Sequence, residues 1–408
     1  MIFFLPRAND TCFLGSLRSL SIRNNQIISG LYKWEKEKIF YSDFSNKLTK
    51  KINLPNPARY EKEFLKKIIL LGKKLKSKNK IKTFYIPTSD TNMMIAINNW
   101  KKISKYFFIL GNKKFSKPQK KVYCKYTMFK FLKKNKIVTP KTLIYNVENC
   151  KKMLSKFGSF IIKPSIKDYS QSFYARNLYK AIYVKNQNDL NNFKKKNRFC
   201  KNKLLIQKKI NFNKINNEIP IYIYADKNHK IQFSICGLKH FVYPKKYGTA
   251  GILGITKNQE VEKISQKIVK LLKWRGILMI EFIYDKNERK WNVIEMNGRP
   301  WLMIDFFRRL DFSFLKLLTH DFQNFNLKKI VKKFNLKKNQ AFRTKPLHLD
   351  LSLLNESVKK ESSNLKKIKN IIKKSKNITF STLDEFDKRP FLKEKTFISK
   401  RLLKLFNI

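Results

Sequence analysis

The chain has 408 residues, and its 91 Lys+Arg against 28 Asp+Glu give a formal net charge of +63. Such an excess points first to nucleic acid or an anionic surface. Yet 42% apolar and 14% aromatic residues exclude a disordered polybasic tail. The enrichment in Lys, Asn, Ile and Phe together is what A/T-rich codons produce, so charge alone does not assign a function. Five Cys without CxxC spacing and four scattered His exclude a disulfide scaffold and make a zinc centre improbable. No apolar run approaches the roughly 18–20 residues of a membrane span. The opening MIFFLPRAND is apolar for five residues without a charged leader, and reads as a strand, not a signal peptide. The expected location is the cytoplasm.

In chain order, residues 1–115 alternate short apolar runs with helical patterns. Strands are predicted at Ile2–Leu5, Ile27–Leu31, Thr83–Ile86 and Phe107–Leu110, and helices at Phe13–Ile22, Glu61–Leu75 and Asn92–Trp100. This rhythm predicts a small parallel α/β sheet, without the GxGxxG of a dinucleotide site. Lys113–Lys121 reads as a charged connector. A helix over Lys125–Asn135, a Pro-led strand over 138–145, a helix over Val147–Phe157 and strands at Ser159–Lys163, Ala181–Val184 and Leu204–Gln207 follow, with a helix at Asp189–Lys195. Residues 219–236 alternate as a hairpin turning at Asp226–Lys230, and its aromatics Tyr222, Tyr224 and Phe233 are expected to pack in the core or to wall a nucleotide site, in preference to stacking on bases. GTAGI (248–252) reads as a flexible turn. A helix covers 259–273 and a second hairpin covers 277–297.

The second hairpin, ILMIEFIYDKNERKWNVIEMNGRP, carries the chemistry. Centred on Glu288, it places Glu281 across from Glu295, with Asn297 and Arg299 on the same face by strand alternation. Facing carboxylates among Ile280, Phe282, Ile294 and Met296 repel and are costly to bury. A divalent cation relieves that cost, and two carboxylates with an amide oxygen suit Mg²⁺ or Mn²⁺. Arg299 would reach anionic oxygens that the metal leaves uncovered.

Glu281…Glu295-Met-Asn297-Gly-Arg299 resembles the metal-binding hairpin of the ATP-grasp superfamily, and other segments match in the order that family requires. GSFIIKPS (158–165) resembles its strand-borne lysine motif, and KYTMFKFLKKNKIVTPKT (125–142) the helix and strand before it. LLIQKKINF (204–212) resembles the hinge between the lobes. Segments 180–190, 243–252 and 384–391 resemble the carboxylate–amine ligase branch, which includes D-aspartate ligase. The phosphate loop at 165–172 departs from the pattern in having no Gly. In the segment 243–252 and just before it, Lys239, Lys245 and Lys246 stand where relatives carry Arg.

The resemblance implies a fold of mixed α/β and α+β class. A pre-ATP-grasp α/β domain (1–115) would precede a two-lobed ATP-grasp domain with antiparallel sheets (116–320; smaller lobe about 125–206, larger lobe about 207–320), and a Lys-rich extension (321–408) would follow. It implies ATP bound by Lys125, Lys163, Gln207, Lys208, Ile210 and Glu218, metal held by Glu281, Glu295 and Asn297, and catalysis by Lys163 and Arg299. In the tail, Arg343 and Asp350 would return toward the site. The expected reaction is ADP-forming activation of a small carboxylate as an acyl phosphate and its capture by an amine. No specific nucleic acid is expected, and a homodimer is possible. Two alternatives stay open: the same fold with a bicarbonate- or thiol-type acceptor, and a basic nucleic-acid-binding protein with a vestigial nucleotide site.

Overall fold

The computed structural model describes residues 1–7, 10–21, 25–31, 40–78, 83–109, 116–166, 181–197, 203–210, 218–245, 248–375 and 377–408. Three sheets organise these residues. The first is all parallel, with strands β1 (Ile2–Pro6), β2 (Gln26–Leu31), β3 (Lys50–Asn53), β4 (Thr83–Tyr85) and β5 (Phe108–Ile109) in the order β3-β2-β1-β4-β5. Every residue of β1 is buried, as a strand covered by helices on both faces requires. Helices Asp10–Leu20, Glu61–Lys78 and Asp90–Asn98 fall where the apolar spacing predicts.

The second sheet is antiparallel and orders β6 (Thr142–Ile144), β7 (Phe160–Pro164), β8 (Ile182–Val184) and β9 (Leu204–Lys208) as β6-β9-β7-β8. It has its own core around Cys150, Phe160, Ile162 and Ile206. The third sheet has seven strands: β10 (Glu218–Ala225), β11 (Ile231–Tyr243), β12 (Thr249–Thr256), β13 (Gly276–Asp285), β14 (Lys290–Asn297), β15 (Leu347–Leu349) and β16 (Ile378–Phe380), ordered β14-β13-β10-β11-β12-β15-β16. One continuous apolar core joins the first sheet to the β10–β13 region of the third. Tyr222, Tyr224 and Phe233 all lie in it, as the alternation predicts.

Three expectations are corrected. The connector Lys113–Lys121 is in part a helix, Ser116–Tyr123: Pro118 falls in its first turn, where a missing N–H costs nothing, and Val122 and Tyr123 bury its far end. GTAGI is largely strand β12 and not a turn. Gly251 and Gly254 are there because a Cβ would crowd Leu354 and His240, a close approach and not flexibility. The segment 321–408 is no appendage, since β15 and β16 complete the large sheet and its helices bury a second core around Ile252, Leu349, Leu354 and Leu402.

A buried ionic network fastens this C-terminal segment to the start of the chain. Arg18, on the first helix, donates to Asp387 at 2.9 Å and to Asp305 at 3.5 Å, and Arg308 also bonds Asp305 and Asp384. Asp387 further accepts from Ser45 Oγ at 2.7 Å and the Asn46 N–H at 2.9 Å. Charges so deep are tolerated only when paired and hydrogen-bonded. Among the described residues, no helix is long and apolar enough to cross a membrane, and the four cysteines are free thiols.

Candidate active site

The β13–β14 hairpin sets the geometry. β13 is apolar and buried along most of its length, and Glu281 interrupts it. The turn is the four residues Lys286–Arg289, with Asp285 paired to Lys290, so it is not centred on Glu288. Counting back from that pair, Glu281 would meet Ile294. A β-bulge corrects the register: Phe282 pairs with Val293, Glu281 with Glu295, and Ile294 is the extra residue. The predicted facing of Glu281 and Glu295 is therefore correct, although the bulge produces it.

The same face carries the rest of the polar set. Glu281 also pairs with Pro220 on β10, so Glu218, two residues on, shares its face. Lys239 of β11 donates to Glu218 and, at 3.4 Å, to Glu281 Oε2. Lys239 is only 6% exposed. Burial opposes its charge, but Glu218 and Glu281 outweigh that and raise its pKa, so it stays an ammonium. Asn297, also buried, donates to Glu295 Oε1 at 3.4 Å.

The second sheet brings Lys163 toward these acids. Lys163, 8% exposed, donates from Nζ to Gln207 Oε1 at 2.8 Å, and Gln207 Nε2 donates to Thr142 Oγ1 at 2.7 Å. Burial, then the Lys125 charge, lower the Lys163 pKa from 10.5 to about 7, against the opposing pull of Glu295 and Glu281. Lys125 opens the helix Lys125–Lys134, and its N–H bonds Ser165 O at 2.8 Å, just beyond Lys163. A small pocket of about 10 Å³, room for one water, is lined by Asp90, Tyr123, Lys125, Glu295 and Asn297 among others. A larger depression of about 400 Å³, between Gln232 and the helix Leu327–Thr344, has no acid in its lining and shares no lining residue with the small pocket.

The other sequence candidates fall as follows. Gln207 is buried and holds Lys163. Lys208 turns its ammonium to Glu288 (2.5 Å) and Asp285 (3.8 Å), and its N–H bonds Lys141 O at 2.8 Å, so that N–H is not available to an adenine. Ile210 is buried at the end of its described segment. The Glu218 carboxylate is taken by Lys239. Arg299 grips Asp90 in a bidentate pair, Nε to Oδ1 at 2.7 Å and Nη2 to Oδ2 at 2.8 Å, and does not stand open to solvent. Arg343 is exposed, and Asp350 caps the helix Leu351–Lys360 by accepting from the Leu353 N–H. The phosphate loop from 167 onward and Lys246 lie outside the described residues.

Sequence reasoning missed Asp90 as a site residue and the counter-ions of Lys239. The signal for Asp90 was modest: a Ser-Asp pair after a predicted strand, which starts a helix with Ser89 as its cap.

The donor set suits a hard cation. Among the described residues no three His, Cys, Asp or Glu gather as a metal site. Two carboxylates and an amide oxygen are the smaller set that Mg²⁺ uses when phosphates and water complete its shell.

No family model matches the chain, and neither does any curated protein. Solved structures do. The chain is similar to an ADP complex of N5-carboxyaminoimidazole ribonucleotide synthetase at 13% identity and TM-score 0.58, over 80% of this chain and 77% of that one. It is similar to an L-amino acid ligase from Bacillus licheniformis at 10% identity and TM-score 0.55, over 78% and 73%. A biotin carboxylase from Campylobacter jejuni matches at 14% identity and TM-score 0.52, over 73% and 65%. With its parallel first sheet, its four-stranded sheet bearing Lys163 and its large sheet bearing the Glu281–Glu295 hairpin, the chain has the ATP-grasp fold.

Proposed function

We propose that this chain is an ATP- and Mg²⁺-dependent, ADP-forming ligase that joins a small carboxylate to an amine. The observation that carries the reading is Glu281 facing Glu295 through a bulge, inside an apolar hairpin, with the buried Lys163 electrostatically coupled to both. The ADP complex and the amino acid ligase among the similar structures support it.

Glu281, Glu295 and Asn297 would hold the cation, which supplies charge neutralisation at the transferring phosphate. Lys163 and Lys125 lie on the phosphate side, and Gln207 fixes the Lys163 ammonium. A substrate carboxylate oxygen attacks the γ-phosphorus, the bond to the β-phosphate oxygen breaks, and ADP leaves. Arg299 bears on the charge of the transferred group. The amine then attacks the acyl carbon, phosphate departs, and the amine proton passes to solvent or a nearby base. Catalysis of this kind is positioning and charge stabilisation and requires no side-chain nucleophile.

The test is incubation with MgATP and pools of carboxylates and amines, with ADP release and product masses as readouts. Stimulated ADP release with a condensed product is expected, absent in Glu295→Ala. Release stimulated by bicarbonate or a thiol alone would move the reading to another acceptor. Release equal in wild type and Glu295→Ala would refute it.

A further inference from the structure

Arg299 is gripped by a residue 209 positions away, at the start of a helix that follows strand β4 of the first sheet. Asp90 opens the helix Asp90–Asn98, directly after β4, and Ser89 Oγ caps that helix by accepting the Asn92 N–H at 3.1 Å. The connecting segment is pinned to the end of β1. Thr88 Oγ1 donates to Pro6 O at 2.6 Å, Asn92 Nδ2 to the same oxygen at 3.0 Å, and the Ile86 N–H to Phe4 O at 2.9 Å. The Asp90 carboxylate is therefore fixed by the first sheet and not by a flexible arm.

Its partner is held on two sides. Asp90 takes the Nε–Nη2 edge of the guanidinium, and Pro300 O accepts from Nη1 at 2.8 Å. A guanidinium has five N–H groups in a rigid fork. These three bonds fix its plane and leave two N–H groups undirected by them, one on each Nη. Asp90 also borders the small pocket that contains Glu295, Asn297 and Lys125. A carboxylate whose only duty was to clamp two units together would not need to sit at the phosphate end of the site.

We propose that Asp90 is a positioning residue for Arg299: it locks the guanidinium plane so that the remaining N–H groups meet the transferred phosphate. This rests on the ligase reading above. A long Arg side chain loses considerable freedom on being ordered, and the sheet-anchored carboxylate supplies that order before substrate arrives. Asp90 acts through Arg299 and touches no reacting atom.

The test uses the full chain and orthophosphate as probe, titrated calorimetrically into protein saturated with Mg·ADP. In Asp90→Asn, phosphate affinity is expected to fall about tenfold or more, while Mg·ADP affinity stays within about twofold. In an Arg299→Lys background, which cannot make the bidentate pair, Asp90→Asn is expected to change nothing further. Asp90→Glu retains the charge and is expected to fall between wild type and Asn; it replaces Asn in the cycle should Asn not fold. Unchanged phosphate affinity in Asp90→Asn overturns the proposal, as does an equal loss in the Arg299→Lys background, or no phosphate binding to the wild-type Mg·ADP complex. Failure of wild type to bind Mg·ADP overturns the ligase reading itself and the proposal with it.

Discussion

Replacing Lys163 with Met removes a charge that the fold carries at a cost. Lys163 is 8% exposed, and burial with the Lys125 charge lowers its pKa from 10.5 to about 7. At about 1.4 kcal/mol per unit, the native state below pH 7 is penalised by roughly 5 kcal/mol relative to a neutral side chain. Met has similar volume but leaves Gln207 Oε1 without its donor, a loss of about 1–3 kcal/mol. The variant should therefore be about 2–4 kcal/mol more stable at pH 6. The sign of the pH dependence follows from linkage. Between pH 7 and 10.5 the unfolded chain binds the proton more tightly than the folded one, so wild-type stability rises with pH. The penalty is complete below pH 7 and relieved above it, and the gap between variant and wild type should shrink by roughly 2–3 kcal/mol from pH 7 to 9. Urea unfolding at pH 6, 7 and 9 measures this directly, and nucleotide binding by the same variant should be lost. A Met variant less stable than wild type at pH 6, or a gap indifferent to pH, would refute the electrostatic account of the site.

Two further outcomes follow from the packing. Burial and the nearby Asp350 raise the Glu394 pKa from 4.5 to about 7, while Ser352 and Thr382 donate to its oxygens. An acid raised on folding contributes stability below about pH 4.5 that is lost as pH climbs to 7, so Glu394→Gln should melt higher than wild type at pH 8 and close to it at pH 5 in thermal scans. A Cβ at Gly298, between Asn297 and Arg299, would overlap the Trp274 ring and Gln119. Gly298→Ala should lower stability by about 1–3 kcal/mol and displace Arg299, read as a lower urea midpoint and weaker phosphate binding.

Legibility in the sequence tracked how local the determining interaction is. β1 was visible because burial on both faces makes Ile2–Leu5 a continuous apolar run. The helix Val147–Phe157 matched to the residue, since Asn146 caps it and Gly158 ends it at φ 66°. The facing of Glu281 and Glu295 was legible from alternation, but the bulge was not, because Ile294 looks like any other apolar residue of β14. β15 and β16 are three residues each and are defined only by the edge they extend. The ion pairs were the least legible part. Arg299 finds Asp90, and Lys239 finds Glu218 and Glu281, only after separate sheets are packed or paired. Lys208, Gln207, Glu218 and Arg299 lie on the expected strands or just beyond them, with partners no spacing rule names.

The site matches Glu218, Glu281, Glu295 and Asp90 with Lys125, Lys163, Lys239 and Arg299, so the +63 balance of the chain does not arise there. The most direct measurement is Mn²⁺ binding followed by electron paramagnetic resonance, with and without ADP. Wild type should bind one Mn²⁺ per chain with ADP present, and Glu281→Ala or Glu295→Ala should weaken that binding at least tenfold. Mn²⁺ binding equal in wild type and both variants would contradict the facing carboxylates as the metal site.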